Sequence, residues 1–305
     1  MTVGVSPASL GGPSRPLIEI CWRAAMVLAS LEPDPVSGRW RKSHSYHRLD
    51  PSEKSAVSYF LGLTQAKITC ELLLGVPHLV HLDSVLAVHG MPIRDSRPDL
   101  IGFDPVSGAY GIAVGAKGWT NGRTADVTAE AKKQAGLLPP VPGVPSDVGV
   151  ASVSSFDTRG RWQAYLEDPP RSRDSQGTQG IGPLLVAYYR PLVFALQDAG
   201  IDRGASDRAT VVARLPGMDM RLGLPGDVVS IMSQVPATGP IPAGRLREAA
   251  AGLAEAITGD TTQLGMGGVL NLADEDLEAQ SPRYCTGLDG VSVELGPSWF
   301  PAAQQ

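Results

Sequence analysis

Apolar and polar positions along the chain alternate between two periods, and the change from one to the other predicts the elements. Leu17 to Leu31 carries Ile18, Cys21, Ala25 and Leu28 near helical spacing, and Glu32-Pro33-Asp34-Pro35 ends that helix. Val36 to Arg48 has no such stripe. It is polar and basic, with Arg39, Arg41, Lys42 and Arg48 beside Trp40 and Tyr46, and reads as an exposed loop. The best-signalled helix follows. Asp50 suits an N-cap, Pro51 the first helical position, Glu53 completes a capping box, and Gly75 suits the C-terminal cap. Val57, Leu61, Ile68 and Leu72 form its expected apolar stripe.

Leu79 to Val88 is rich in Val and Leu and is expected as a strand. Pro98 to Phe103 and Tyr110 to Lys117 are expected as two further strands, joined by the turn Asp104-Pro105-Val106-Ser107-Gly108. A helix over Ala125 to Leu138, stopped by Pro139-Pro140, and a strand over Val148 to Ser154 complete this half. The polar stretch Asp168 to Gly182 then marks a soft boundary. Beyond it come a helix near Leu184 to Ala199, strands near Thr210 to Leu215 and Asp227 to Ser233, and an Ala-rich helix from Ala243 to Ile257. The fold expected is α/β, with a central mixed sheet flanked by helices over residues 1–170 and a C-terminal α/β extension over 171–305.

Composition narrows the picture. With 43% hydrophobic and 19% charged residues over 305 positions, the chain reads as globular. Its net charge of -5 means that nucleic acid could be held only by a local basic patch. Cys21, Cys70 and Cys285 are scattered and odd in number, so neither a disulfide framework nor a CxxC metal site is expected. No secretory leader or membrane-spanning run is visible, and a cytoplasmic setting is the expectation. The five histidines lie between residues 44 and 89. His78 and His81 are three apart, which on a helix would suit a metal, but Gly75 and Pro77 argue against a helix there, and ordinary strand or loop histidines are the expectation. Neither a phosphate-binding loop nor a GxSxG elbow is present.

The candidate chemistry sits on the expected hairpin. Arg97-Pro98-Asp99 opens one strand, and Val114-Gly115-Ala116-Lys117-Gly118 closes the next. Side chains two apart on a strand share a face, so an acid-x-Lys pair beside a second acid would converge at one sheet edge. There they would hold hard cations and a phosphate. In this order of elements the chain resembles the PD-(D/E)XK restriction-endonuclease-like family, and the run from Ser52 to Asp83 with the later Ser96 to Gly102 resembles an uncharacterised group of bacterial nuclease-like proteins. Asp99 and Lys117 match the motif, whereas Gly115 stands where the family has Glu or Asp. The resemblance places a functional glutamine at Gln134 and an additional acid at Glu53.

What the resemblance implies is a metal-dependent nuclease-like protein of a bacterial defence or DNA-processing system. It would use Mg2+ or Mn2+ if active, and would be impaired or inactive with glycine at 115. Asp99, Lys117, Gln134 and Glu53 are the candidate catalytic residues. The alternative is a catalytically dead relative acting as a nucleic-acid-binding or protein-interaction scaffold. DNA, RNA and a partner protein are all open as partners, and the membrane is not. Read singly, the same residues have plainer roles: Asp99 as a turn cap, Lys117 as a solvated strand end, Glu53 as a capping residue and Gln134 as a surface residue. One rescue is open within the chain. Glu130 and Gln134 are four apart on one helical face, so Glu130 could join Asp99 as a metal ligand, or could simply be solvated. On this reading Gly115→Glu restores metal binding.

Overall fold

The computed structural model describes residues 15–34, 36–93, 96–103, 111–141, 148–167, 181–206, 209–236, 241–259 and 284–299. Among them, one compact unit covers Trp22 to Glu167, and a second covers Ile181 to Trp299 with the start of the first helix up to Cys21. The expected turn at 104–108 and most of the polar stretch 168–182 lie outside the described residues.

The first unit begins in helix α1 (Arg15–Ser30) and continues through a short ribbon, β1 (Leu31–Pro33) with β2 (Trp40–Lys42). Helix α2 (His44–Arg48) leads to α3 (Pro51–Leu74), then β3 (Val80–His81), α4 (Leu82–Val88), β4 (Leu100–Phe103), β5 (Gly111–Gly118), α5 (Ala125–Ala135), β6 (Val148–Phe156) and β7 (Trp162–Glu167). The strands pair in the order β3-β4-β5-β6-β7. The pairs β3/β4, β4/β5 and β6/β7 are antiparallel, and β5/β6 is parallel. A parallel pair needs a crossover, and α5 supplies it.

Helix α3 starts as its sequence demands. Asp50 Oδ1 accepts from the Ser52 and Glu53 amides at 2.7 and 2.9 Å, and Glu53 Oε2 accepts from the Asp50 amide at 2.9 Å. Such a cap is worth about 1 kcal/mol. Gly75 ends the helix at φ 66°, the left-handed region that glycine enters without a Cβ penalty. The expected stripe holds only in part. Val57 and Leu61 are buried, but Ile68 and Leu72 are 42% and 43% exposed. The second half of α3 instead buries Leu63, Ala66 and Cys70 against Leu100, Val114 and Val150 on one sheet face. On the other face, Val127 and Ala131 of α5 pack on Ala151 and Val153.

Three expectations need correction. The apolar run Leu79 to Val88 pairs for two residues only and then turns into α4, where Asp83 lies in the first turn. Short Val/Leu runs do not distinguish a buried helix from a strand by period. The basic segment 36–48 is not all loop: it holds β2 and α2, because Ser43 caps the Tyr46 amide at 3.0 Å and the Tyr46 ring is buried. Asp227 to Met232 is helical, within α7 (Gly226–Met232) with Ser233 as its C-terminal cap, and buries Val228, Val229 and Met232.

In the second unit α6 (Ile181–Ala199) is followed by β8 (Thr210–Leu215), β9 (Met220–Pro225), α7, α8 (Ala243–Gly259), β10 (Tyr284–Thr286) and β11 (Ser292–Leu295). Its four strands form an antiparallel sheet in the order β10-β11-β9-β8. Helix α6 is buried almost throughout, and Gly182 lets it approach Ala250 of α8. The Tyr189 hydroxyl donates to the Asp289 carbonyl at 2.7 Å, and the Tyr188 hydroxyl donates to the Asp289 carboxylate. Among the described residues no helix is long and apolar enough to cross a membrane.

Candidate functional site

Strand register decides where the candidate residues point. Leu100 lies opposite Val114, and the Asp99 amide continues the ladder by donating to the Val114 carbonyl at 3.0 Å. One step further along, Asp99 lies across from Gly115. Residues opposite one another on neighbouring strands share a face, and Lys117 shares the face of Gly115 because it is two positions on. This is the face that α5 covers. Asp99 and Lys117 therefore stand at one end of one sheet face, as the hairpin argument requires.

Helix α5 contributes the other half. Ala131 sits directly over Gly115, and Gln134 and Glu130 flank it along the helix. The Gln134 side chain hydrogen-bonds the Asp99 carboxylate, whose Oδ2 also accepts from the Ala116 amide at 2.9 Å. The Glu130 Oε1 lies 3.1 Å from the Lys117 Nζ. Two polar pairs, Asp99–Gln134 and Lys117–Glu130, thus bracket a contact between a glycine and a helix backbone. Burial pushes the Asp99 carboxyl above its ordinary value, while the Ala116 amide, Lys117, Gln134 and Arg97 pull it the other way.

Gly115 is the point where helix and strand touch. A Cβ built there would lie 2.0 Å from the Ala131 carbonyl oxygen and 2.8 Å from its carbon. Both are backbone atoms, so a rotamer change cannot relieve the overlap. The expectation that glutamate at 115 would restore a metal site is corrected on this ground: as α5 is packed, no side chain fits. Strand β5 is pressed from its other face in the same way, since a Cβ at Gly118 would lie 1.5 Å from the Ser58 carbonyl oxygen of α3.

Glu53 does not join the group. It stands at the N-terminus of α3, the helix on the opposite sheet face, with its carboxylate engaged in the capping box. Around Asp99 the sequence reasoning missed several groups. Arg97 makes a two-point ion pair with Asp83 at 2.6 and 2.7 Å. Tyr59 of α3 has its hydroxyl pKa raised by burial and by the charge of Asp99. His81 is pushed down to about 4 by burial, with Arg23 acting the same way, so it stands neutral. Arg97 adjoins the Pro-Asp motif and could have been singled out from it; Asp83, Tyr59 and His81 reach the site only through tertiary packing.

The donor set does not suit Mg2+ or Mn2+. These ions bind several oxygens, with carboxylates prominent. Among the described residues no three His, Cys, Asp or Glu side chains cluster to hold a metal. One Asp99 oxygen is engaged by an amide, and Glu130 is committed to the Lys117 ammonium. Gln134 Oε1 is buried without a partner among the described residues, but a neutral amide oxygen does not replace the charge of a carboxylate. Compared with known proteins, the chain matches no family model, no curated protein and no solved structure.

Proposed function

We propose that the first unit is a restriction-endonuclease-like core that binds nucleic acid without hydrolysing it. Its connectivity supports the reading: a helix, three antiparallel strands, a crossover helix and a fourth strand parallel to the third, with Asp99 and Lys117 at one end of the sheet. The observation that carries it is Gly115. Phosphodiester hydrolysis by this layout needs a second acid beside Asp99 to hold the ion that activates water. The backbone of α5 fills the space that such an acid would take. What remains is a lysine neutralised by Glu130 and an aspartate tied to Gln134. That arrangement orders the end of the sheet and activates no water.

Calorimetric titration with Mn2+ and Mg2+, run beside cleavage of labelled DNA and RNA, tests the loss of hydrolysis. The expected result is no saturable metal binding and no cleavage above that of Lys117→Ala. Metal-dependent cleavage that disappears in Asp99→Asn would overturn the proposal.

A further inference from the structure

A chain with net charge -5 can hold a polyanion only on a local patch, and the first unit has one. Residues 36–48 contain no acid and carry Arg39, Arg41, Lys42 and Arg48. The fold sets this segment beside a second cationic turn. Arg41 pairs across an isolated bridge with Arg161, and the Lys42 amide donates to the Gly160 carbonyl at 2.9 Å. Like charges facing each other across strands are unfavourable unless compensated. Arg41 and Arg161 are compensated, by Glu32 at 2.9 Å and by Asp34 at 3.6 Å. Arg39, Arg48 and Arg159 are exposed and have no acidic partner among the described residues.

Aromatic faces lie among these cations. Trp40 is 47% exposed between Arg39 and Arg41, and Trp119 is 42% exposed in the loop that leaves β5 just after Lys117. The two regions are tied together: Lys42 Nζ donates to the Thr120 carbonyl at 2.8 Å, and the Trp119 amide donates to the Ser154 carbonyl at 2.8 Å. Lys42 is itself spent on this junction. Its ammonium lies 4.8 Å from the Phe156 ring centre and 5.2 Å from that of Tyr46, and burial lowers its pKa. The free cations and the two indoles therefore stand on a band of segments tied into one frame.

We infer that this band, Arg39, Trp40, Arg48, Arg159 and Trp119, is a docking surface for single-stranded nucleic acid. The inference rests on the nucleic-acid reading above and gives it a surface. Exposed indoles stack on unpaired bases, while unpartnered guanidinium groups neutralise phosphates. A duplex keeps its bases stacked inside and offers the indoles nothing comparable. The cations lie on turns and at the end of the short helix α2 rather than beside a broad apolar face, which favours a flexible strand over a membrane.

Fluorescence anisotropy of the full chain with labelled dT20 and rU20, between 50 and 300 mM NaCl, is the test. Micromolar binding is expected, weakening with salt with a log–log slope of about -2 for three neutralised phosphates. The triple variant Arg39→Glu, Arg48→Glu, Arg159→Glu should lose at least 30-fold, and Trp40→Ala about tenfold, with Trp40→Phe recovering most of the loss. Melting curves for each variant check that the fold is intact. Three results overturn the inference: no binding to either oligonucleotide, binding that survives the triple substitution, or binding only to vesicles of phosphatidylcholine with 30% phosphatidylserine. If the triple variant binds normally and Lys117→Ala does not, the band fails while the nucleic-acid reading stands.

Discussion

The two faces of the central sheet are built differently, and β5 belongs to both. On the α3 face, Leu63, Ala66 and Cys70 meet Leu100, Val114 and Val150 in a continuous apolar layer. On the α5 face a smaller apolar cluster gives way, at the end of the sheet, to Asp99–Gln134 and Lys117–Glu130. The first face holds the fold and the second displays polar groups. A glycine on each face brings a helix backbone against the strand, so the polar end is held as tightly as the apolar one.

Overfilling those contacts should have the largest effect. Gly118→Ala and Gly115→Glu each place a Cβ inside the van der Waals radius of a backbone carbonyl. Each should cost about 3 kcal/mol or more in urea-denaturation stability. If Gly115→Glu were as stable as the parent chain, α5 would not pack as described. Truncation of the apolar face ranks next. Leu100 is fully buried, and Leu100→Ala should cost about 2–5 kcal/mol, with an unchanged denaturant slope.

The polar end should respond to pH. Because burial raises the Asp99 carboxyl above the 3.8 of a free aspartate, the folded state holds this proton more tightly than the unfolded state. Stability from this group is therefore greatest below 3.8 and falls as pH rises through its raised value. Asp99→Asn removes that dependence and should be at least as stable as the parent at pH 7, with the difference shrinking in acid. A parent-minus-variant stability that grows towards neutral pH would contradict this. Lys117→Ala is expected to change stability least. Its partner Glu130 is 69% exposed, and exposed ion pairs contribute about 0–1 kcal/mol.

The legible parts of the molecule were those written in local chemistry. Helix α3 is announced by Asp50, Pro51, Glu53 and Gly75; the shared face of Gly115 and Lys117 follows from strand period, and the β4/β5 register adds Asp99 to it. Residues 82–88 and 227–232 are helical where strands are expected, because short apolar runs carry no period of their own. Glycine at 115 reads as a missing acid in a linear motif. Only the position of Ala131, contributed by a helix some fifteen residues further on, shows that the site is closed to any side chain. The basic segment was visible in sequence, but the second cationic turn that completes it comes from residues 157–161.

The central claim is that the first unit binds nucleic acid without cutting it, and one measurement tests it most directly. A labelled single strand is incubated with the protein in Mn2+, with anisotropy followed in solution and strand length followed on a gel. The account expects a bound strand of unchanged length over hours, in the parent chain and in Asp99→Asn alike. Shortening of the strand by the parent but not by Asp99→Asn would contradict it.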